Sequence, residues 1–489
     1  SGSRAPIAIS VFVKNPDARE NGRIFFHDIG DYLDQKQKLA IIRDFGNVKG
    51  ISNTVGWERI IPDDHNDRLN QRDVSFDRFL PIGNKKASLG NALFENYSLG
   101  VATNRDAWCV NFSRRGLHKN LEGFVSFYES ERQRLEGASG DISELVRVAP
   151  SQISWTGALK KRLERNRRLT LADGTFAPCL YRPFDRQWLF FGRALNERVY
   201  QMPQMFPNAG VENRVIGLSG PGFRGSFSVL MSDVVPALHA ADRDGAQYFP
   251  LHLYDQHDEE PGGLFEGQSS GLQRRDAITD AGLAHFQAAY PGGEITKEDI
   301  FYYVYGLLHS PDYRDRYADN LTKELPRIPC VKTYGDFRAF SDAGRRLGEL
   351  HVNYETVEPY PVTYKQGTPA LCSIDDPKAF YRVTKMKYGG KRGNTDKTTV
   401  IYNSNITMTD IPLEAYDYVV NGKPALEWVM ERQVVRTDKA SGIVNDANDY
   451  ANETMGDPAY PLKLFQRVIT VSLETMKIVR SLPALGDLT

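Results

Sequence analysis

Four cysteines in 489 residues, Cys109, Cys179, Cys330 and Cys372, lie far apart and never form a Cys-x-x-Cys pair. That spacing excludes a zinc knuckle and makes a reducing compartment the simplest setting. No apolar run approaches the roughly 20 residues that a membrane-spanning helix requires, and the N-terminus has no signal-peptide core. The expected location is therefore the cytoplasm. An excess of one charge is lacking too. The 61 Lys and Arg residues are balanced by 62 Asp and Glu, so any contact with nucleic acid must come from local patches and not from a globally basic surface. No P-loop is present, which leaves no readable cradle for ATP.

The length and ordinary apolar content allow two or three domains with ample core. The chain is organised around the stretch 180–191, where Tyr181, Phe184, Trp188, Phe190 and Phe191 alternate with Arg182, Asp185 and Arg186 about Pro183. Proline forbids a helix interior and pushes Arg182 toward extended geometry, and residues 188–191 read as a buried strand. Arg182, Asp185 and Arg186 then stand at the strand's entrance. They are either a polar cluster facing a phosphate or base edge, or an Arg–Asp pair pinning a turn.

Two basic segments accompany it. Lys160, Lys161, Arg162, Arg165, Arg167 and Arg168 form the densest run, which around a helix would cover most of the circumference and suit a phosphate backbone. Residues 381–387 and 399–403 read as strands around the Gly-rich segment 388–394. Lys385, Lys387, Lys391, Arg392 and Lys397 make this hairpin basic, fit either to enter a groove or simply to stay soluble.

The remainder reads as scaffold. Residues 7–13 and 24–26 form an expected hairpin, followed by a helix around Leu39, Ile41 and Ile42. Residues 108–112 read as a strand, and Leu117, Leu121, Phe124, Tyr128 and Leu135 recur at helical spacing up to Gly137. Gly220, Gly222 and Gly225 match G-x-G-x-x-G, but strand-like sequence follows where a phosphate-binding helix must start, so a hairpin turn is expected. His239, His252 and His257 fit no metal-ligand spacing and read as scattered surface histidines, and 255–271 reads as a mobile loop. Thr296 caps an amphipathic helix carrying Ile300, Tyr303, Val304, Leu307 and Leu308. Pro311 starts a second helix and 325–329 stops it; Phe337, Phe340, Leu347 and His351 mark a third, and Leu464 to Leu482 a last. His309 and His351 read as hydrogen-bonded core residues.

The stretch 180–191, together with Asn208 and 249–254, resembles the C-terminal part of type ISP restriction-modification enzymes. Further signatures follow in that family's order at 98–106, 301–311, 325–329, 348–351, 425–430 and 441–446. The resemblance covers nearly the whole chain. It implies a mixed α/β architecture, with the end of a methyltransferase-like sheet followed by a large α+β target-recognition domain. The methyltransferase part is expected over 1–115, its border falling between Gly116 and Ser151, and the recognition domain over 116–489.

By that resemblance the chain recognises a specific duplex DNA sequence, and the longer parent uses S-adenosylmethionine, ATP and Mg for adenine methylation, translocation and cleavage. The abrupt start, with Ser1-Gly2-Ser3 like an expression scar, predicts a piece of such a parent. The tetrapeptide by which amino-methyltransferases hold the target amino group is absent, so this chain is expected to bind and not to catalyse, with no cofactor of its own. The expected DNA-binding residues are Thr103, Asn104, Arg105, Lys161, Arg165, Arg168, Arg182, Arg186, Lys385, Lys387, Lys391 and Arg392, with Thr103 to Arg105 near the DNA backbone. The alternatives are a hydrolase using Asp185 with His239 or His252, for which no nucleophile or metal motif exists, and a protein-interaction scaffold.

Overall fold

The computed structural model describes residues 8–20, 22–31, 33–54, 56–85, 92–208, 210–256, 272–368, 374–391, 393–486 and 488. They divide into two compact units, Ser1–Asp73 and Val74–Thr489.

In the smaller unit the expected pairing of 7–13 with 24–26 does not form. Ile24–Phe26 pairs antiparallel with Glu58–Ile60 instead, and residues 8–13 are in no strand. Ile9, Val11, Phe12 and Val13 are exposed, so the apolar run has no facing surface to bury it. The helix around Leu39 does form, as Gln35–Phe45, opened by a capping box between Asp34 and Gln37.

The larger unit has its core in two long helices. Thr296 caps Lys297–Leu307, accepting from the Asp299 amide at 3.1 Å while the Asp299 carboxylate accepts from Thr296. The sequence pattern suggests a one-sided helix, yet every residue from Asp299 to Leu307 is buried. The reason lies in Tyr334–Val352, which packs directly on its backbone. A Cβ on Gly306 would collide with the Phe340 carbonyl, and one on Gly344 with the Tyr302 carbonyl. The two helices approach where each contributes a glycine, and larger neighbours close around them. Three buried tyrosines beside them keep their hydroxyls bonded, as burial favours. Tyr290, Tyr303 and Tyr313 donate to the carbonyls of Val331, Pro329 and Arg327, so the proline-rich stop after the second helix serves as their anchor.

That second helix is broken into Pro311–Arg316 and Ala318–Lys323. The closing helix Tyr460–Arg480 begins four residues before Leu464. His351 and His309 are core residues: His351 bonds Tyr305 Oη at 2.6 Å and Thr475 Oγ1 at 2.9 Å, and His309 bonds the Tyr305 carbonyl at 2.8 Å. Burial holds His351 down at about 3, so it stays neutral.

Among the described residues, three four-stranded sheets accompany this core. The first runs Val235–Pro236, Thr175–Arg182, Asp185–Phe191, Val110–Asn111, with only the Val235 strand parallel to its neighbour. The second is Ser98–Leu99, Ala246–Pro250, Val215–Ser219, Val229–Ser232. Gly220 to Gly225 is the expected hairpin turn between its last two antiparallel strands, so a strand and not a phosphate-binding helix follows the glycines. The third sheet orders Thr363–Tyr364, Thr407–Thr409, Asn394–Ile401, Lys387–Lys391. Here the strands run through the Gly-rich segment itself, with a bulge between Tyr388 and Gly389, and 381–386 is not strand. Gly390, at φ +83°, has the Asn394 carbonyl where a Cβ would stand, so glycine lets the two strands close tightly. The expected strand 108–112 shrinks to Val110–Asn111, because Asp106–Cys109 is a helical turn. The helix carrying Leu117 to Tyr128 spans Arg114–Arg134.

Candidate nucleic-acid interface

The 180–191 stretch is a tight hairpin. Thr175–Arg182 pairs with Asp185–Phe191, Arg182 stands opposite Asp185, and Pro183-Phe184 forms the turn. Pro183 presets one turn residue, and Phe184 takes φ +56°, a left-handed conformation that a bulky side chain holds only when packing fixes it. The Phe184 ring is 1% exposed and sits edge-on to Tyr354 at 5.3 Å between centroids, which supplies that packing.

Arg182 and Arg186 leave this hairpin for different surroundings. Arg186 Nη2 lies 2.5 Å from Asp233 and Nη1 lies 3.0 Å from Glu355, and Nη2 also donates to the Val352 carbonyl. Its partners are thus not Asp185, as an Arg–Asp turn pin requires. Asp185 is fully buried, with Oδ2 accepting from Gln187 at 3.0 Å and Oδ1 lacking a hydrogen bond among the described residues. Burial raises its carboxyl to about 6, against the pull of nearby Arg432. Arg182 is half-buried: its guanidinium lies 4.1 Å above the Tyr181 ring and donates once, to the Tyr181 carbonyl.

Tyr181 ties this arginine to the other signature loop. Its hydroxyl donates to Asp106 Oδ2 at 2.8 Å, and the Thr103 hydroxyl bonds the other carboxylate oxygen. Asn104 takes φ +51° at the loop's exposed tip. The loop is anchored below, where Val101 donates to the Pro236 carbonyl and accepts from Leu238, while Ala237 donates to Leu180. A cleft of about 290 Å³ results, lined by Val101, Ala102, Thr103, Asn104, Asp106, Arg182, Ala237, Leu238 and His239. Arg105 turns the other way. It is 5% exposed, donating to Thr156 Oγ1 at 2.5 Å, 3.9 Å from Glu197 and over the Phe124 ring.

His239 is not a surface histidine as expected. It is half-buried in the cleft wall, and burial plus Arg182 hold it below the ordinary histidine range. His252 is likewise half-buried, 3.5 Å from Asp276, and His257 lies outside the described residues, as does most of 255–271. Among the described residues, no three His, Cys, Asp or Glu side chains stand together as a metal site.

The other candidates are dispersed. The basic run does not wrap a helix, because Gly157–Glu164 ends before Arg165. Lys161 is exposed on it, and Arg165 and Arg168 are exposed after it. Arg162 is occupied, donating to the Arg168 carbonyl and to Asp173. On the third sheet Lys387 and Lys391 are exposed along one strand and Lys385 just before it, while Lys397 is held by Glu427 at 3.0 Å. Arg392 lies outside the described residues. Of the expected residues the cleft brings Thr103, Asn104 and Arg182 together, and Asp106 and Tyr181, which sequence reasoning did not single out for DNA binding, join them. The signal was within reach, since Asp106 ends the signature 98–106, but only the fold brings it to the hairpin.

A family model described as the Type ISP C-terminal specificity domain matches residues 92–464. Among solved structures, a nuclease-deletion mutant of the Type ISP restriction-modification enzyme LlaGI in complex with a DNA substrate mimic is 33% identical, with a TM-score of 0.78, covering 97% of this chain and 40% of its own. The ATP-dependent Type ISP restriction-modification enzyme LlaBIII bound to DNA is 34% identical, with a TM-score of 0.80, covering 96% of this chain and 28% of its own. A DrdV–DNA complex is 30% identical, with a TM-score of 0.77 and coverages of 96% and 44%. The chain therefore spans less than half the length of these relatives. No curated protein matches. Among the described residues, no helix is long and apolar enough to cross a membrane.

Proposed function

Because the chain belongs to the family of Type ISP C-terminal specificity domains, we propose that it recognises a specific sequence in duplex DNA on behalf of a restriction-modification enzyme. The observation that carries the reading is the fold shared over 96–97% of the chain with structures holding DNA or a DNA substrate mimic. The chain's part is binding. The longer parent supplies S-adenosylmethionine, ATP and Mg for adenine methylation, translocation and cleavage, in the cytoplasm. By role, 1–115 closes the methyltransferase domain and 116–489 selects the target, although 74–115 folds within the larger unit.

Roles divide by surroundings. Arg182, with one donor hydrogen-bonded among the described residues and its guanidinium beside Asn104 in the cleft, contacts the target. Lys161, Arg165, Arg168, Lys385, Lys387 and Lys391 serve phosphates, where exposed cations release counterions without reading sequence, and Arg392 is assigned to phosphates from its sequence position alone. Thr103 orders the loop, Arg105 braces it from inside, and Arg186 braces the hairpin that carries Arg182.

The test is binding of this chain to duplex DNA between 50 and 200 mM salt, as planned concentrations. Affinity is expected to fall steeply, its logarithm linear in log salt, and transfer of methyl groups from S-adenosylmethionine to DNA by this chain alone is expected to be nil. Salt-insensitive binding, or methyl transfer, contradicts the reading.

A further inference from the structure

The cleft beneath Asn104 has a shape and a charge pattern that general DNA binding does not account for. Its walls are both apolar and mixed in sign. Val101, Ala102, Ala237 and Leu238 supply apolar surface, Arg182 supplies donors, and Asp106 supplies a carboxylate. A phosphate is a poor occupant, because the Asp106 carboxylate would face it at close range. A base pair still stacked in the duplex is also a poor occupant, since a helix as wide as DNA cannot enter a concave space of about 290 Å³. A flat heteroaromatic ring with adjacent hydrogen-bond donor and acceptor fits on both counts.

Two features show that the polar groups are built and not incidental. Tyr181 fixes Arg182 by its ring face and Asp106 by its hydroxyl, so one side chain sets the donor and the acceptor together. The Thr103 hydroxyl holds the second oxygen of Asp106. His239 stands in the same wall, its ring beside the Asp242 and Arg243 backbone.

We propose that this cleft receives one nucleobase displaced from the duplex stack, its polar edge set between Arg182 and Asp106 with His239 at the side. The proposal rests on the DNA-binding reading above. Displacing a base costs a few kcal/mol, least where the base is already unpaired. A mismatch at the displaced position therefore strengthens binding.

The experiment measures the affinity of the whole chain for its selected duplex and for copies with one mismatch stepped through it. Parent, Asp106→Asn and Arg182→Ala proteins are compared, with melting temperatures recorded. One position is expected to gain at least about tenfold in the parent, and both variants to lose most of that gain. If either variant melts well below the parent, 2-aminopurine at that position decides in the parent protein: its emission rises if the base leaves the stack, and unchanged emission overturns the proposal. Specific binding without a mismatch gain at any position overturns the proposal alone. A salt slope reduced by about one in Arg182→Ala, with no mismatch gain, assigns the arginine to a phosphate and overturns it too. Failure to bind the matched duplex removes the functional reading and the proposal together.

Discussion

Arg186 spends its guanidinium on Asp233, Glu355 and the Val352 carbonyl, with its side chain 17% exposed, whereas Arg182 spends one donor on its neighbour's carbonyl. Removing one partner of a largely buried ion pair leaves a charge uncompensated, so Arg186→Met is expected to cost about 3 kcal/mol of stability. Sequence preference in the surviving folded protein is expected to be unchanged. Arg182→Lys keeps the charge but loses the planar fork, and is expected to alter DNA preference with little change in melting temperature. Melting and binding measured on both variants check this; the reverse assignment contradicts it.

Asp185 adds a pH signature. Burial raises its folded carboxyl to about 6 from the usual 3.8, so the folded state holds the proton more tightly than the unfolded chain does. The resulting stabilisation is complete below about pH 4 and is lost as pH rises through about 6, an effect of about 3 kcal/mol for two pH units. His351, held down at about 3, works in the opposite sense, losing stability as pH falls from the histidine range toward 3. Comparing Asp185→Asn with the parent cancels the histidine. The variant is expected to gain relative stability between pH 4 and pH 7.5, and parallel melting curves contradict the account.

At the scale of elements, the helices Lys297–Leu307 and Tyr334–Val352 touch backbone to backbone. Gly344→Ala places a methyl group against the Tyr302 carbonyl and must push the helices apart, an overpacking expected to cost about 3 kcal/mol. Gly123→Ala, on Arg114–Arg134 with nothing within 4 Å of the added Cβ, is the control expected to be neutral or slightly stabilising. Chemical unfolding of both variants checks the contrast.

The hairpin Lys387–Lys391 with Asn394–Ile401 belongs to the same scale. If its exposed lysines meet phosphates, Lys387→Ala with Lys391→Ala reduces the salt slope of DNA binding by about two, at roughly 0.9 per contact, and weakens all sequences alike. An unchanged slope leaves the lysines with solubility alone.

For the whole molecule, what could be read in the sequence follows from how local each cause is. Helices with caps and period, such as Gln35–Phe45 and Arg114–Arg134, were legible, as was the glycine turn at 220–225, because their determinants lie within a few residues. The strand expected at 7–13 failed because a strand needs a partner, and Ile24–Phe26 takes Glu58–Ile60 from over thirty residues away. The central helix looked one-sided because periodicity reports only the large residues. Its small-residue face is buried against another helix. Of the candidate site, the loop 103–106 and Arg182 were legible separately. Their meeting was not, because it depends on Ala237 pairing the strand Val235–Pro236 beside Thr175–Arg182. The dispersed basic residues were legible only as charge.

The most direct measurement is selection of duplex DNA by this 489-residue chain from a random pool, with binding of the selected sequence then compared against scrambled duplex at one salt concentration. The account predicts a single enriched motif, bound at least about a thousandfold more tightly than scrambled DNA. Equal binding of selected and scrambled duplexes, or recovery of no motif, would contradict it.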